Sequence, residues 1–455
     1  MNRKNMVLAT ILLALAALGA VGYYLSSAAH AQRSIDGTIN QARSDDLTPT
    51  VYLPLVASKR SQRIYSTSLA YLGAFAYPAG DEWAYSAHAL AYYPDGDSES
   101  TDSCPGSLYV TGYDQDDRVA EVTIPEPAVS DNFDDLPQAA ILQSLADITG
   151  GWIDNCTYND DCIYREVDGL AYLPAVNKIA WNLNDWYNAG GYDQDSLGWS
   201  GLDLTGAQGV WHIGARPSSD EVFHSGKTSD YLFQAPESFA NQYLDGKWLI
   251  SGAQREAGAN GGSQGPTLYA SAPWEDGNPP TSGQNLDALA LLYYPEIIAC
   301  IWDGEGDINE NPAPGDCHFP GYRGMDHWNG GAWVQSAAGS AVLIVGRKGL
   351  GDNCYGTQAA CGGDPCVPSK GYHAYPYQPQ ILFYDPEELN EALAGAKEPW
   401  EVLPYEVYVP TDEVFGGECA TLGAAAYDRE RRLLYVTERE AGPWGETAVH
   451  VWRVE

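Results

Sequence analysis

Charged residues capable of ligand binding or proton transfer follow a strand-like phrase that recurs along the sequence. Two of the corners after this phrase carry Gly-Tyr-Asp-Gln-Asp, at 112–116 and 191–195, and two share Arg-Glu-Ala-Gly, at 255–258 and 439–442. Carboxylates accept hydrogen bonds and transfer protons, and arginine presents two parallel donors to a carboxylate or to hydroxyls. Together with one further corner and a nearby histidine, they form a predicted ligand-binding set: Tyr113, Asp114, Asp116, Asp193, Asp195, Arg255, Glu256, His327, Arg347, Arg439 and Glu440.

The same residue types also suit a structural role. Asp and Gly form tight turns, and Arg and Glu can pair between neighbouring units. Exposed ion pairs contribute only about 0–1 kcal/mol each, so stabilisation alone explains a ring of them poorly. Both interpretations stay open at this point.

A metal site is predicted in the acidic stretch at 303–311. Oxygen-bearing side chains stand there at every second position, in Asp303, Glu305, Asp307 and Asn309, between Cys300 and Cys317. Calcium takes about six to eight oxygen ligands, which predicts a Ca²⁺ site. The stretch departs from an EF-hand loop because Ile308 stands at the glycine position and the last bidentate Glu is missing. A solvated acidic loop is the alternative.

Sequence motifs for several other kinds of site are absent from this sequence. It contains no Gly-x-x-x-x-Gly-Lys phosphate loop, no Cys-x-x-Cys-His for haem and no Gly-x-Ser-x-Gly nucleophile elbow. No cysteine spacing comes with the paired histidines or second Cys-x-x-Cys of a zinc site. We therefore expect no nucleotide, haem or zinc.

The elements that must position the charged corners are short strands rich in Leu, Val and aromatic residues. They begin at Leu108, Leu249, Leu343 and Leu434, with a looser copy at Ile179. Repeats with loops of unequal length are typical of circular arrays, in which each unit buries its faces against its neighbours. The sequence predicts an all-β fold, a β-propeller of about five to six and at most seven blades with short helical insertions. The alternative is a pair of β-sandwiches, which would give two sequence-distinct halves.

Segments outside the repeated strand complete the predicted ring. A strand at 69–77 can pair with the last strand of the chain and close the ring. Residues 137–148 and 386–396 read as short helical insertions. The segment 286–294 is a strand, either the outer strand of the third unit or the core of an additional blade.

The beginning of the chain has the pattern of an export segment. Two basic residues precede an apolar run at 6–25, and Ala-His-Ala follows at 29–31. The run also has about the length that spans a bilayer, so an uncleaved anchor is the alternative to a signal peptide. The sequence thus divides into a signal peptide or N-terminal membrane anchor at 1–31, a flexible linker at 32–64 and a single propeller domain at 65–455.

Charge and cysteine content narrow the partners and the compartment. The chain has 61 acidic against 24 basic residues and a net charge of −37. Such a field repels nucleic acid and anionic lipid, so we expect no nucleic-acid partner, and membrane contact only through an uncleaved N-terminal segment. Nine cysteines in an exported chain predict disulfides and an extracellular or cell-surface location, although their pairing stays open.

Three stretches, at 89–125, 330–385 and 423–454, resemble a group of uncharacterised exported bacterial proteins. The short Tyr-Leu-Pro-Leu-Val at 52–56 is similar to a segment that follows the export signal in secreted proteins of filamentous Chloroflexota. The resemblance implies an exported, propeller-like repeat protein. It brings no catalytic residue with it.

The sequence favours a propeller that binds an extracellular ligand, namely a glycan or an envelope component, without a reaction. The alternative is a polysaccharide or ester hydrolase or lyase that uses axial carboxylates, and a second alternative is a structural surface protein. Tyr and Trp combine an apolar ring with a polar end and therefore suit sugar binding. Three tryptophans beside glycine or acidic turns are candidate sugar platforms: Trp274, Trp302 and Trp444.

Overall fold

A computed structural model describes residues 62–97, 104–114, 116–154, 165–185, 191–216, 222–253, 262–272, 279–295, 298–302 and 308–455. The predicted export segment lies outside these residues, as does most of the predicted linker. All described residues belong to one compact unit. Among the helices of this part of the chain, none is long and apolar enough to cross a membrane.

Five antiparallel blades form a ring, which confirms the predicted β-propeller. The first strand of the chain, β1 (Leu69–Ala76), belongs to the last blade. Blade 1 contains β2 (Leu90–Tyr93), β3 (Ser107–Thr111), β4 (Val119–Thr123) and β5 (Ile141–Ala146). Blade 2 contains β6 (Arg165–Leu173), β7 (Lys178–Asp185), β8 (Leu197–Ser200) and β9 (Gln208–Ile213). Blade 3 contains β10 (Leu232–Gln234), β11 (Leu249–Ser251), β12 (Leu268–Ser271) and, after the short β13 (Asn285–Leu286), β14 (Ala288–Leu292).

The remaining strands form the last two blades and one insertion. Blade 4 contains β15 (His327–Ser336), β16 (Gly339–Gly349), β19 (Tyr377–Tyr384) and β20 (Glu406–Tyr408). Its insertion is a ribbon of β17 (Cys354–Gly356) and β18 (Gly371–His373). Blade 5 contains β21 (Thr421–Asp428), β22 (Leu433–Arg439), β23 (Ala448–Val454) and β1. The helices are α1 (Ser225–Thr228), α2 (Glu237–Tyr243), α3 (Ile298–Ile301) and α4 (Pro386–Leu393).

The ring closes by pairing the first strand with the last, as the sequence predicts. β1 runs antiparallel to β23, from Leu69 opposite Val454 to Ala76 opposite Ala448. The outer edge of blade 5 is thereby supplied by a segment more than 370 residues away along the chain. Phe75 of β1 is fully buried in a cluster that also contains Leu108 of blade 1.

Small residues allow the five inner strands to approach each other at the axis. A Cβ on Gly169 of β6 would lie 2.3 Å from the carbonyl oxygen of Asp230, just before β10. A Cβ on Gly330 of β15 would lie 2.5 Å from the carbonyl oxygen of Gly423 in β21. Both contacts are to backbone, so any side chain at these two positions would push neighbouring inner strands apart.

The structure corrects one detail of the sequence prediction, settles a second and confirms a third. The helix predicted at 137–148 is wrong, because Ile141–Ala146 is the outer strand β5 of blade 1. The backbone groups of β4 lack a partner on that side, and pairing with them outweighs the weak local helical preference. The segment 286–294 proves to contain the outer strand of blade 3. The helix predicted at 386–396 is confirmed as α4, where Asp385 accepts a hydrogen bond from Glu387 N.

Three disulfides join described cysteines: Cys300–Cys317, Cys354–Cys361 and Cys366–Cys419. The first of them spans the acidic stretch at 303–311, and the third ties the insertion of blade 4 to the loop before β21. Disulfides persist in oxidising compartments, so these bonds are consistent with a location outside the cytoplasm.

Candidate functional site

The five inner strands run in the same direction and therefore define two different ends of the ring axis. The residues at or just before their first positions include His88, Glu166, Asp168 and His327, and we call this end the polar mouth. Their last positions surround an apolar cavity, and we call that end the apolar mouth. The second strand of each blade runs antiparallel to the inner strand and therefore ends on the side of the polar mouth, where Arg439 at the end of β22 contacts His88.

His88 lies at the centre of the polar mouth and contacts groups from two other blades. Its Nδ1 is 3.1 Å from Asp168 Oδ1 and 3.4 Å from Glu166 Oε2, and its Nε2 is 2.9 Å from Arg439 Nη2. A guanidinium can only donate, so the contact with Arg439 requires the lone pair on Nε2 and places the ring proton on Nδ1. That proton points towards the two carboxylates.

The charge state of His88 is coupled to the position of Arg439. Burial and the Arg439 charge oppose a second proton on the ring, whereas the Glu166 and Asp168 carboxylates favour it and raise the pKa of His88. A second proton would occupy Nε2 and remove the acceptor that Arg439 uses. Protonation of His88 and its hydrogen bond from Arg439 are therefore mutually exclusive.

A β-bulge turns Asp168 towards this cluster. The register of β6 against β7 shifts between Val167 and Gly169, so Asp168 is the extra residue and has no partner opposite. Asn184 Nδ2 donates to Asp168 Oδ2 at 2.9 Å and fixes the carboxylate. β15 has the same irregularity between Trp328 and Gly330, which places Asn329 at the equivalent position. Bulges of this kind redirect a single side chain and are enriched next to functional sites.

Asp117 is a buried acid in the turn between β3 and β4. It is 3% exposed, has a φ of 41°, and its Oδ1 is buried without a hydrogen-bond partner among the described residues. Burial raises its pKa well above the usual range, although His88 opposes this; the nearby carboxylates of Glu166 and Asp168 raise it further. Burial also raises the pKa of Glu166. The polar mouth thus contains acids that retain a proton more readily than exposed ones.

His327 and Arg347 form the opposite wall of the polar mouth. They lie opposite each other in β15 and β16, and Arg347 Nη1 donates to Thr421 Oγ1 at 3.2 Å. Burial lowers the pKa of His327 well below its usual value, and the charges of Arg347 and Arg439 lower it further. His327 is therefore a neutral imidazole beside two cations.

An aromatic cavity lies beside the polar mouth and shares the β3–β4 turn with it. It has a volume of about 670 Å³ and is lined by Asp81, Glu82, Ala84, Tyr85, Tyr113, Asp116, Arg118, Leu145 and Trp444. Trp444 is 78% exposed and Tyr85 is 44% exposed, although both are large rings. Tyr85 N donates to Gly445 O at 2.8 Å, which fixes the two aromatic segments together. We call this site the aromatic cavity.

The structure brings together some of the predicted ligand-binding residues. His327, Arg347 and Arg439 lie in the polar mouth. Asp114 lies close to Asp117 beside it: burial is the main cause of the raised pKa of Asp117, and the Asp114 carboxylate raises that pKa further. Tyr113 and Asp116 line the aromatic cavity.

Other predicted residues lie elsewhere. Asp193 accepts hydrogen bonds from His212 Nε2 at 2.8 Å and Ser225 N at 3.0 Å, and Asp195 pairs with Arg216. Glu440 is an exposed turn residue with a φ of 54°. Asn309 donates from its backbone N to Ile301 O at 2.7 Å. The remaining predicted residues lie outside the described part of the chain: Arg255, Glu256, Asp303, Glu305, Asp307 and Trp274.

Sequence reasoning missed His88, Asp117, Glu166 and Asp168. Acidic residues at 166 and 168, directly before the small and apolar residues of an inner strand, were a usable signal, because the start of such a strand faces a crowded axis. The nearest ligand atoms of His88, Glu166 and Asp168 lie within 4.8 Å of one another, which is close enough to hold one divalent cation. The proton on His88 Nδ1 would have to leave first.

Comparison with known proteins finds no family model that matches this chain and no curated protein that matches it.

Proposed function

We propose that the polar face of the propeller binds an extracellular glycan, with a sugar ring held in the aromatic cavity. The exposed Trp444 and Tyr85 side chains in a cavity of about 670 Å³ carry this proposal. Sugar rings present apolar C–H faces that pack on aromatic rings, and their hydroxyls hydrogen-bond to carboxylates and guanidinium groups. Exposed apolar patches that are rimmed by polar residues mark ligand-binding grooves, and Trp444 and Tyr85 lie beside Asp81, Glu82, Asp116 and Arg118.

The charges of the aromatic cavity select among glycans. Asp81, Glu82 and Asp116 outnumber the single cation Arg118. Carboxylates accept from sugar hydroxyls and from ammonium groups but repel uronate and sulfate. The ligand class is therefore a neutral or amino sugar.

The test is a comparison of oligosaccharide panels that are neutral, N-acetylated, amino or uronic-acid based, with binding measured by calorimetry or on an array. We expect Trp444→Ala to weaken binding by about tenfold, because it removes an aromatic contact. Tyr243→Ala is the matched control, since Tyr243 is an exposed ring on α2 that does not line the cavity. Equal binding by both variants, or a preference for uronates, contradicts the proposal.

The acids of the polar mouth favour glycoside hydrolysis as a second candidate function. The carboxylate oxygens of Glu166 and Asp168 that face His88 lie within 4.8 Å of each other, close to the ~5 Å spacing of retaining glycosidases. Burial raises the pKa of Glu166, which makes Glu166 the proton donor of this pair. Asp168 accepts from Asn184 and His88 and can act as the ionised partner.

Release of reducing ends from a bound oligosaccharide tests this second candidate. If the acids act in catalysis, we expect Asp168→Asn to lower the rate by at least about a hundredfold while the affinity of the aromatic cavity stays unchanged. A rate that survives this substitution contradicts catalysis by these acids, and no release of reducing ends by the wild-type protein contradicts hydrolysis and leaves binding as the function.

Export to the cell surface or beyond is part of the proposal. The three disulfides support it, and so does the apolar N-terminal segment of the sequence. Fractionation of expressing cells, followed by N-terminal sequencing of the mature protein, tests export and distinguishes a cleaved signal from an anchor. Recovery in the cytoplasm with the segment intact contradicts it.

A further inference from the structure

The apolar mouth contains a cavity that is separate from the polar mouth and the aromatic cavity. Its volume is about 260 Å³, and all five inner strands contribute to its wall. Most of the wall is apolar, including Leu90, Leu170, Leu232, Phe233, Trp333 and Ala426. Neither the glycan proposal nor the hydrolysis proposal uses this cavity.

The tyrosines at this mouth use their hydroxyl groups in contacts with the protein. Tyr92 OH donates to Pro105 O at 3.1 Å, Tyr172 OH to Asn177 Oδ1 at 3.1 Å, and Tyr427 OH to Gln335 O at 2.7 Å. Their rings line the cavity while their hydroxyls are engaged. The tyrosines therefore add apolar surface more than hydrogen-bonding capacity.

One cation lines this apolar cavity without a carboxylate partner among the described residues. Arg429 follows β21, its Nη2 donates to Gln234 O, and its Nη1 is buried with no hydrogen-bond partner. Burial lowers the pKa of Arg429 to about 10, and the guanidinium remains charged at neutral pH.

The two acids next to Arg429 in the chain interact with other groups. Asp428 accepts from the backbone N–H groups of Glu430 and Arg431 and pairs with Arg431 Nη1 at 3.3 Å. The Glu430 side chain is 81% exposed and lies 4.0 Å from Arg431. In a protein with a net charge of −37, a partly buried guanidinium that forms no ion pair with either neighbouring acid points to an anionic ligand.

We propose that the apolar mouth binds a small apolar monocarboxylate, with its carboxylate on Arg429 and its hydrocarbon part between the inner strands. Guanidinium groups bind carboxylates through paired, charge-assisted hydrogen bonds, and no described group accepts from Nη1. An apolar cavity of ~150 Å³ holds one benzene, so this larger one accommodates an aromatic ring with a short acid arm or a chain of about six carbons. The rest of the ligand gains from burial against the apolar wall.

The experiment is calorimetric titration of the full mature chain with phenylacetate and hexanoate, and with 2-phenylethanol and hexan-1-ol as uncharged analogues. Each acid is expected to bind at least about tenfold more tightly than its alcohol, because only the acid pairs with the guanidinium. Arg429→Gln is expected to abolish this preference. Arg453→Gln is the matched control, because Arg453 is an exposed cation on β23 away from the cavity.

Equal affinity for acid and alcohol in the wild-type protein overturns the proposal without any variant. Preference for acids that survives in Arg429→Gln overturns it as well. A second variant, Ala426→Leu, reduces the cavity and is expected to abolish binding of acids and alcohols together. Tighter binding of a short Asp- or Glu-containing peptide than of hexanoate would instead identify a protein segment as the occupant and overturn the small-molecule assignment.

Discussion

Substitution of Gly330 by Ala tests whether the inner strands really crowd a common axis. The added Cβ would lie 2.5 Å from the Gly423 carbonyl oxygen and 2.8 Å from Ala424 C and Ala425 N. Non-bonded carbon contacts are comfortable at about 3.5 Å, so β15 and β21 must separate by about 1 Å. Because all three contacts are to backbone, a change of side-chain rotamer cannot relieve them.

The expected cost follows from these contacts. Overpacking costs typically about 1–3 kcal/mol, and a contact that only backbone movement can relieve belongs at the upper end. Replacing Gly by Ala recovers about 0.4–1 kcal/mol by restricting the unfolded chain. We therefore expect Gly330→Ala to lower the free energy of unfolding by about 2 kcal/mol.

Urea denaturation followed by tryptophan fluorescence measures this loss. Gly371→Ala is the matched control, because a Cβ on Gly371 at the start of β18 meets nothing within 4 Å. Its free energy of unfolding is expected to stay unchanged or rise slightly. If Gly330→Ala is as stable as Gly371→Ala, the close approach of neighbouring inner strands is refuted.

Three further predictions concern the closure of the ring and the polar mouth. Phe75→Ala removes a fully buried ring from β1 and is expected to lower the free energy of unfolding in urea by about 3–5 kcal/mol. The control Leu142→Ala, at an exposed position on β5, is expected to lower it by less than about 0.5 kcal/mol. Equal effects contradict ring closure by β1. Asp117→Asn is expected to stabilise the protein increasingly as pH rises. Burial and the neighbouring carboxylates raise the pKa of Asp117, so the folded state binds its proton more tightly than the unfolded chain does. The free energy of unfolding of the wild type therefore falls as pH rises above the pKa of Asp117 in the unfolded chain. Thermal melting of both proteins from acid to mildly alkaline pH measures this, and a difference that shrinks as pH rises contradicts it. Arg439→Met removes a charge that opposes protonation of His88, so the pKa of His88 is expected to rise above its wild-type value in an NMR titration; an unchanged or lower pKa refutes the coupling.

The architecture could be predicted because the strand phrase recurs with the same polarity in every blade. Unequal loops did not hide it, and the unassigned strand at 69–77 indicated how the ring would close. The strand at 141–146 could not be predicted in the same way, because its local pattern fits a helix and only the unpaired edge of β4 makes it a strand.

The candidate site was predictable only in part. Arg347 lies near the end of β16 and Arg439 is the last residue of β22, so their position in the repeat determines the face they reach. Asp168 depends on a β-bulge, which moves one side chain and leaves no mark in residue spacing. Two copies of Gly-Tyr-Asp-Gln-Asp have different surroundings, because Asp193 of the second copy accepts from His212 Nε2, whereas Tyr113 and Asp116 of the first copy line the aromatic cavity.

The pairing of β1 with β23 also decides at which end of the axis the outer strands of blade 5 start and finish. The inner strand β21 begins at the polar mouth, and two successive reversals of direction bring the end of β23, and with it the start of β1, to the opposite end. Ser336 Oγ, at the end of β15 on that side, accordingly donates to Glu455 O at 2.7 Å. A label joined at Glu455 would therefore lie on the side of the ring opposite His88 and leave the polar mouth accessible.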